Sequence, residues 1–174
     1  MKTITNKIIL LICLIAVTLT SSSCLKDDPL FEWDKAGAVI EIPVKPHYLL
    51  ATNVVTSKNA EFTLMVNYTV FQVSDNTVDI PVTLAADESL VATYNAGLAS
   101  STKKYVLLPA TTYTLPSPII KAGTQLWKEN MTVNTSTLKK GEKYLLPIKI
   151  ASVPAGYTIS GNFGHVYLRI DMKK

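Results

Sequence analysis

Cys24 is the residue of this chain with the plainest chemistry. Lys2 and Lys7 make the N-terminus positive, and Ile8 to Leu19 form an apolar run interrupted only by Thr18. Thr20-Ser21-Ser22-Ser23 then place small residues directly before the cysteine. An apolar run of 12 residues lies within the roughly 7–15 of a secretory signal and below the ~20 needed to span a bilayer. The arrangement reads as a lipoprotein signal over residues 1–23, with the Cys24 thiol as the group to be diacylated and to become the new N-terminus. Ser21 stands at the third position before the cysteine, where leucine is commonest in such signals. At about 0.8 kcal/mol per buried methylene, two or more acyl chains would hold the protein stably on a membrane.

Other reactive types are sparse. His47 and His165 are far apart in sequence with no nearby carboxylate spacing, which does not make a zinc site. No nucleophile elbow, phosphate-binding glycine loop or calcium loop is present in the sequence. Asp87 and Glu88 form the densest acidic pair beyond the N-terminal segment, and helix capping accounts for them. Asn67-Tyr68-Thr69, Asn130-Met131-Thr132 and Asn134-Thr135-Ser136 match glycosylation sequons, which carry little meaning in a bacterial lipoprotein. The expectation is a protein without catalytic residues, bound metal or cofactor. The aromatic residues are the remaining binding candidates. Trp127 shares strand parity with Met131 and Val133, which favours packing in a core over stacking on a sugar. His165, Tyr167 and Arg169 alternate with Val166, Leu168 and Ile170, so the first three are expected on the outer face of the last strand as a ligand-contacting row.

The elements that must position these residues are strands. Period-two alternation runs through Ile40-Ile42-Val44, Phe62 to Val70, Val78-Ile80-Val82-Leu84, Leu146-Ile148-Ile150 and Val166-Leu168-Ile170. Pro43, Pro81 and Pro147 mark edges, strand starts or bulges, because proline donates no ladder bond. One short helix is predicted from Asp87, its N-cap, to Gly97, with Leu90, Tyr94 and Leu98 on one face, as a crossover by which the chain changes sheet. Removal of residues 1–23 leaves 151 of the 174 residues, one domain's worth. The full chain has a net charge of +4, and loss of Lys2 and Lys7 reduces this to 15 minus 13, or +2. A scattered charge of that size offers no basic face for nucleic acid. The organisation expected is a signal peptide over 1–23, a tether over 24–35 and a β-sandwich over 36–174.

Several segments carry a resemblance. They are Asp87 to Ala96, Leu107-Leu108-Pro109-Ala110, Tyr113-Thr114-Leu115-Pro116, Ile119 to Gly123, Leu138 to Ile150 and Gly156 to Asn162. In this order they resemble a domain of unknown function found at the N-terminus of Bacteroidetes surface lipoproteins. The resemblance implies an immunoglobulin-like β-sandwich, here of about seven strands with one short helix, usually followed by a chitinase-like, laminin-G-like or discoidin-like module. The chain ends at Lys174, where the resemblance would place that module. Leu25-Lys26-Asp27-Asp28 is similar to the surface-export signal of such lipoproteins, with Lys26, Asp27 and Asp28 as its charged residues. The function implied is that of a non-enzymatic accessory or binding protein, lipid-anchored in the outer membrane, facing the cell exterior and linked to glycan acquisition. Its partner would be a glycan or an outer-membrane protein, the latter if it is instead a docking or adhesin module.

Overall fold

The computed structural model describes residues 37–43, 49–54, 59–70 and 76–174. Among the described residues there are eleven strands, one α-helix and one 3-10 turn. One sheet has the order β10-β1-β3-β8, formed by Tyr157–Ile159, Ala38–Glu41, Ala60–Thr69 and Leu126–Val133. The second has the order β2-β11-β9-β5, formed by Leu49–Val54, His165–Met172, Lys143–Ser152 and Thr83–Ala86. A short strand β6 (Val106–Leu107) also pairs with β9, and β4 (Ile80–Pro81) pairs with β7 (Ile119–Ile120) as a separate ribbon. The two sheets bury their inner faces in one core, so the fold is the expected all-β sandwich. Seven of its strands are four residues or longer, and the short segments β4, β6, β7 and β10 raise the number above the seven expected.

Alternation in the sequence builds that core. Ala60, Phe62, Leu64, Val66 and Tyr68 of β3 are buried, as are Val166, Leu168, Ile170 and Met172 of β11. Burying one such large aliphatic side chain contributes about 1.5–3 kcal/mol, which fixes the register, because a one-residue slip would turn the whole set outward. Two residues depart from this alternation. Val78 is 56% exposed, because the chain there belongs to a turn organised by Asn76 and joins strand β4 only at Ile80. Pro147 is buried, in the middle of the central strand β9. Its position is explained by the hydrogen bonds around it. The Ile150 N–H donates to Gly164 O, so even-numbered residues of β9 face β11 and odd-numbered ones face the opposite edge. On that edge β6 pairs with Tyr144 and Leu145 and β5 with residues from Ile148 onward. Pro147 therefore falls in the gap between two partners, where its missing donor costs no ladder bond, and its carbonyl accepts the Asp87 N–H at 3.0 Å.

The helix α1 (Ser89–Ala96) springs from this gap. It leaves β5 and returns to β6 along the same edge of β9, so it connects two segments of one sheet and is not the change of sheet expected from the sequence. Glu88, directly before it, is already helical in backbone and makes no side-chain cap bond, so the cap acts from one residue earlier: Asp87 Oδ1 accepts the Ser89 N–H at 3.1 Å and the Ser89 hydroxyl at 2.6 Å. Eight residues are too few for a stable isolated helix, so contacts with the sheet must hold it. Asn95 ties it to the residue just before β6, donating from Nδ2 to Tyr105 O and accepting the Tyr105 N–H at Oδ1, both at 2.8 Å.

Candidate functional site

Parity on β11 is as the sequence predicts, with His165, Tyr167 and Arg169 on the face opposite the buried Val166, Leu168 and Ile170. That face is half-buried, because α1 lies against it. The Tyr94 ring from α1 stands 5.0 Å from the Tyr167 ring and 5.4 Å, edge-on, from the Tyr105 ring. The His165 ring meets Tyr167 edge-on at 5.2 Å. Burial pushes the Tyr167 phenol above its ordinary range, and the nearby Asp87 carboxylate adds to the effect. Arg169 Nε lies 3.6 Å from Asp171 Oδ1, both atoms buried and neither hydrogen-bonded. Lys143 Nζ sits 3.9 Å from Asp171 Oδ2 and 5.3 Å from the centre of the Tyr105 ring. The Tyr105 phenol is pushed up to about 12, first by burial and then by the Asp171 carboxylate. Chemically this is an aromatic and ionic layer fastening helix to sheet, and a ligand would have to compete with Tyr94 for the face of Tyr167.

A more open site lies at the far edge of the other sheet. Pro109 takes an extended conformation and is followed by the 3-10 turn Ala110–Thr112, closed by Thr112, whose N–H and hydroxyl both donate to Pro109 O. The turn delivers Tyr113 to a single bridge with Val133 at the end of β8, where the Asn134 N–H donates to Thr112 O at 2.8 Å. Between residues 111–116 and β8 lies a groove of about 450 Å³, a volume within the range of small-ligand sites. Thr111, Tyr113, Thr114, Glu129, Asn130, Thr132 and Asn134 line it with hydroxyls, amides and one carboxylate, beside the apolar Leu115, Pro116 and Met131. Asn130 Oδ1 accepts the Thr63 hydroxyl at 2.8 Å, and Asn134 Oδ1 accepts the Ser136 N–H at 3.0 Å and hydroxyl at 2.7 Å. Both amides are thus held in place. Burial raises the Tyr113 phenol above its ordinary range.

Sequence reasoning did not find this groove. Asn130, Thr132 and Asn134 were visible as the polar partners of Met131 and Val133 in a period-two run, and two of them also head sequons. What turns the row into one wall of a groove is the arrival of Tyr113 from 20 positions away, which no local pattern announces. Trp127 is half-buried against the core, opposite Val66, in keeping with the packing reading of its parity. Cys24, Lys26, Asp27, Asp28 and His47 lie outside the described residues. Among the described residues no group of three or more His, Cys, Asp or Glu side chains could hold a metal ion, and no helix is long and apolar enough to cross a membrane.

The model of an N-terminal domain family matches residues 41–156, which include β3, α1, the groove and all of β9. The chain belongs to that N-terminal domain family. Among solved structures, a two-domain Bacteroides fragilis protein of unknown function superposes with a TM-score of 0.60 at 15% identity, over 79% of this chain and 46% of its own. A Bacteroides ovatus protein named as a candidate carbohydrate-binding protein gives 0.55 at 17% identity, over 78% and 37%. Bacteroides thetaiotaomicron EndoBT-3987, solved with a Man5GlcNAc product, gives 0.51 at 19% identity, over 71% and 29%. At these identities the likeness is one of fold, and the chain spans less than half the length of each of the three. No curated protein matches the chain. The family match and the Bacteroides neighbours bear out the resemblance to a Bacteroidetes domain of unknown function.

Proposed function

We propose that this family member is a lipid-anchored accessory protein of the outer membrane, facing the cell exterior, that binds glycan without transforming it. The observation that carries the reading is the groove beside β8. A cleft of about 450 Å³ lined by threonine hydroxyls, held asparagine amides, a carboxylate and a tyrosine offers the mixture of donors, acceptors and aromatic surface that sugars require. The carbohydrate-binding designation of the Bacteroides ovatus neighbour and the glycan product held by EndoBT-3987 agree with it, as properties of those proteins. The Cys24 signal and the charges of Lys26, Asp27 and Asp28 support the anchor and the export.

A glycan array probed with wild type, Asn134→Ala and Tyr167→Ala proteins tests the reading. Binding lost in Asn134→Ala and kept in Tyr167→Ala, with all three proteins folded by circular dichroism at the assay temperature, is expected. Loss in Tyr167→Ala alone would move the site to the last strand. One observation favours protein docking as a second reading. The Tyr68 N–H donates to Gln125 O, so the odd-numbered residues of β8 face β3 and the backbone groups of Leu126, Lys128 and Asn130 point outward along an edge where another strand could pair. An array blank for every glycan, with an outer-membrane protein captured through that edge, would favour it.

A further inference from the structure

We infer that the groove beside β8 takes a neutral oligosaccharide laid along the strand and discriminates against acidic glycans, an inference that rests on the glycan-binding reading. The first reason is charge. No lysine, arginine or histidine lines the groove, and its one ionisable carboxyl is Glu129. Uronate, sialate and sulfate groups are held in proteins by charge-assisted bonds from arginine or lysine. Here an anionic ligand would meet the Glu129 carboxylate with no cation in the lining to offset it.

The second reason is the hydrogen-bonding inventory. Thr114 and Thr132 hydroxyls both donate and accept, as sugar hydroxyls do. Asn134 Oδ1 is committed to the Ser136 N–H and hydroxyl, which leaves Nδ2 as the group it presents. Glu129 accepts only, and its two oxygens can receive two adjacent hydroxyls of one ring. The lining therefore offers a neutral sugar donors and acceptors from both faces of the strand edge. Tyr113 and Leu115 supply apolar surface for the ring's C–H groups.

The third reason is direction. Thr132 and Asn134 are two positions apart at and just beyond the end of β8, so extended backbone spaces them by about 7 Å on one face. The strand edge thus offers successive contacts along a line, which suits a linear chain better than a single compact residue.

The experiment is calorimetry on the purified full chain in detergent. The neutral probes are cellopentaose, laminaripentaose, xylopentaose and mannopentaose, and the acidic probes are trigalacturonic acid and a heparin hexasaccharide, each at 50 and 500 mM NaCl. Binding to at least one neutral probe, changed less than twofold by salt and weakened at least tenfold in both Thr132→Val and Asn134→Ala, is the expected result. Glu129→Gln, the same size without the charge, should narrow the preference for neutral over acidic probes. Tighter, salt-sensitive binding of an acidic probe would overturn the assigned ligand class and leave glycan binding itself intact. Neutral binding that survives both substitutions in correctly folded protein would overturn the assigned site. Silence toward all six probes would overturn the inference, and the blank glycan array described above would then overturn the broader reading with it.

Discussion

Asn76 shows how much of this fold depends on single polar residues. It is 4% exposed, yet its side chain is fully used: Nδ2 donates to Val78 O and Lys121 O, and Oδ1 accepts the Thr124 N–H. The backbone carbonyl takes the Gly123 N–H, in the turn where Gly123 has φ +75°, a conformation other residues adopt at a cost. Asn76→Ala would strand these partners, and urea titration should show a loss of about 2–3 kcal/mol, the cost of burying backbone groups without partners. Tyr105 makes a separate prediction. Its phenol is raised from 10 to about 12 by burial and by the Asp171 carboxylate, so the unfolded chain releases that proton first. The stability that comes from holding it is whole below about pH 10 and is lost as pH rises through about 12. Wild-type stability should fall across that window, and Tyr105→Phe should flatten the fall. An identical slope in the variant would assign the alkaline loss to other groups.

Among the elements, β8 leaves a long stretch of edge open. It ends the order of its sheet, and from Leu126 to Asn130 its outward backbone groups meet no other strand of the described residues. Such an edge invites self-pairing. Lys128 lies at the middle of that stretch, so antiparallel addition of a second copy centred there would set lysine against lysine. Lys128→Val should therefore raise the sedimentation coefficient at high concentration while the wild type stays unchanged, and a monomeric variant would show that the edge is protected by something else. The long elements are the legible ones. β3 and β11 could be read from alternation because each buries one face against the same core, whereas β9 buries Leu145 and Pro147 as well and alternates only from Ile148 onward. Two features were not readable. The roofing of Tyr167 by Tyr94 and the groove at Tyr113 each join segments that meet only after the sheets have formed. Outward parity on β11 therefore did not mean open water, since a second layer, the helix, covers that face.

At the scale of the whole molecule the anchor and the domain are separate problems in the sequence. In the proposed organisation the 12 residues of the 24–35 tether set the reach, at most about 40 Å when extended. Cys24→Ala should abolish labelling by a clickable fatty acid, and equal labelling of the variant would dismiss Cys24 as the acylated residue. Protease added to intact cells should digest the wild type, while replacement of both Asp27 and Asp28 by alanine should protect the protein by retaining it inside. A wild type that resists digestion until lysis would mean that the domain faces the periplasm. The order of assembly follows from the pairing. β1 lies parallel to β10, and β2 lies parallel to β11, the final strand. The start of the domain is thus registered to its end, and loop closure over most of the chain must precede either contact. A partly synthesised chain can pair β1 with β3 and β3 with β8, but it has nothing on which to seat β2 until His165 to Met172 have been made. Completion of the second sheet is thus a late event, which would keep the proposed exported lipoprotein short of its full sandwich while it is passed across a membrane.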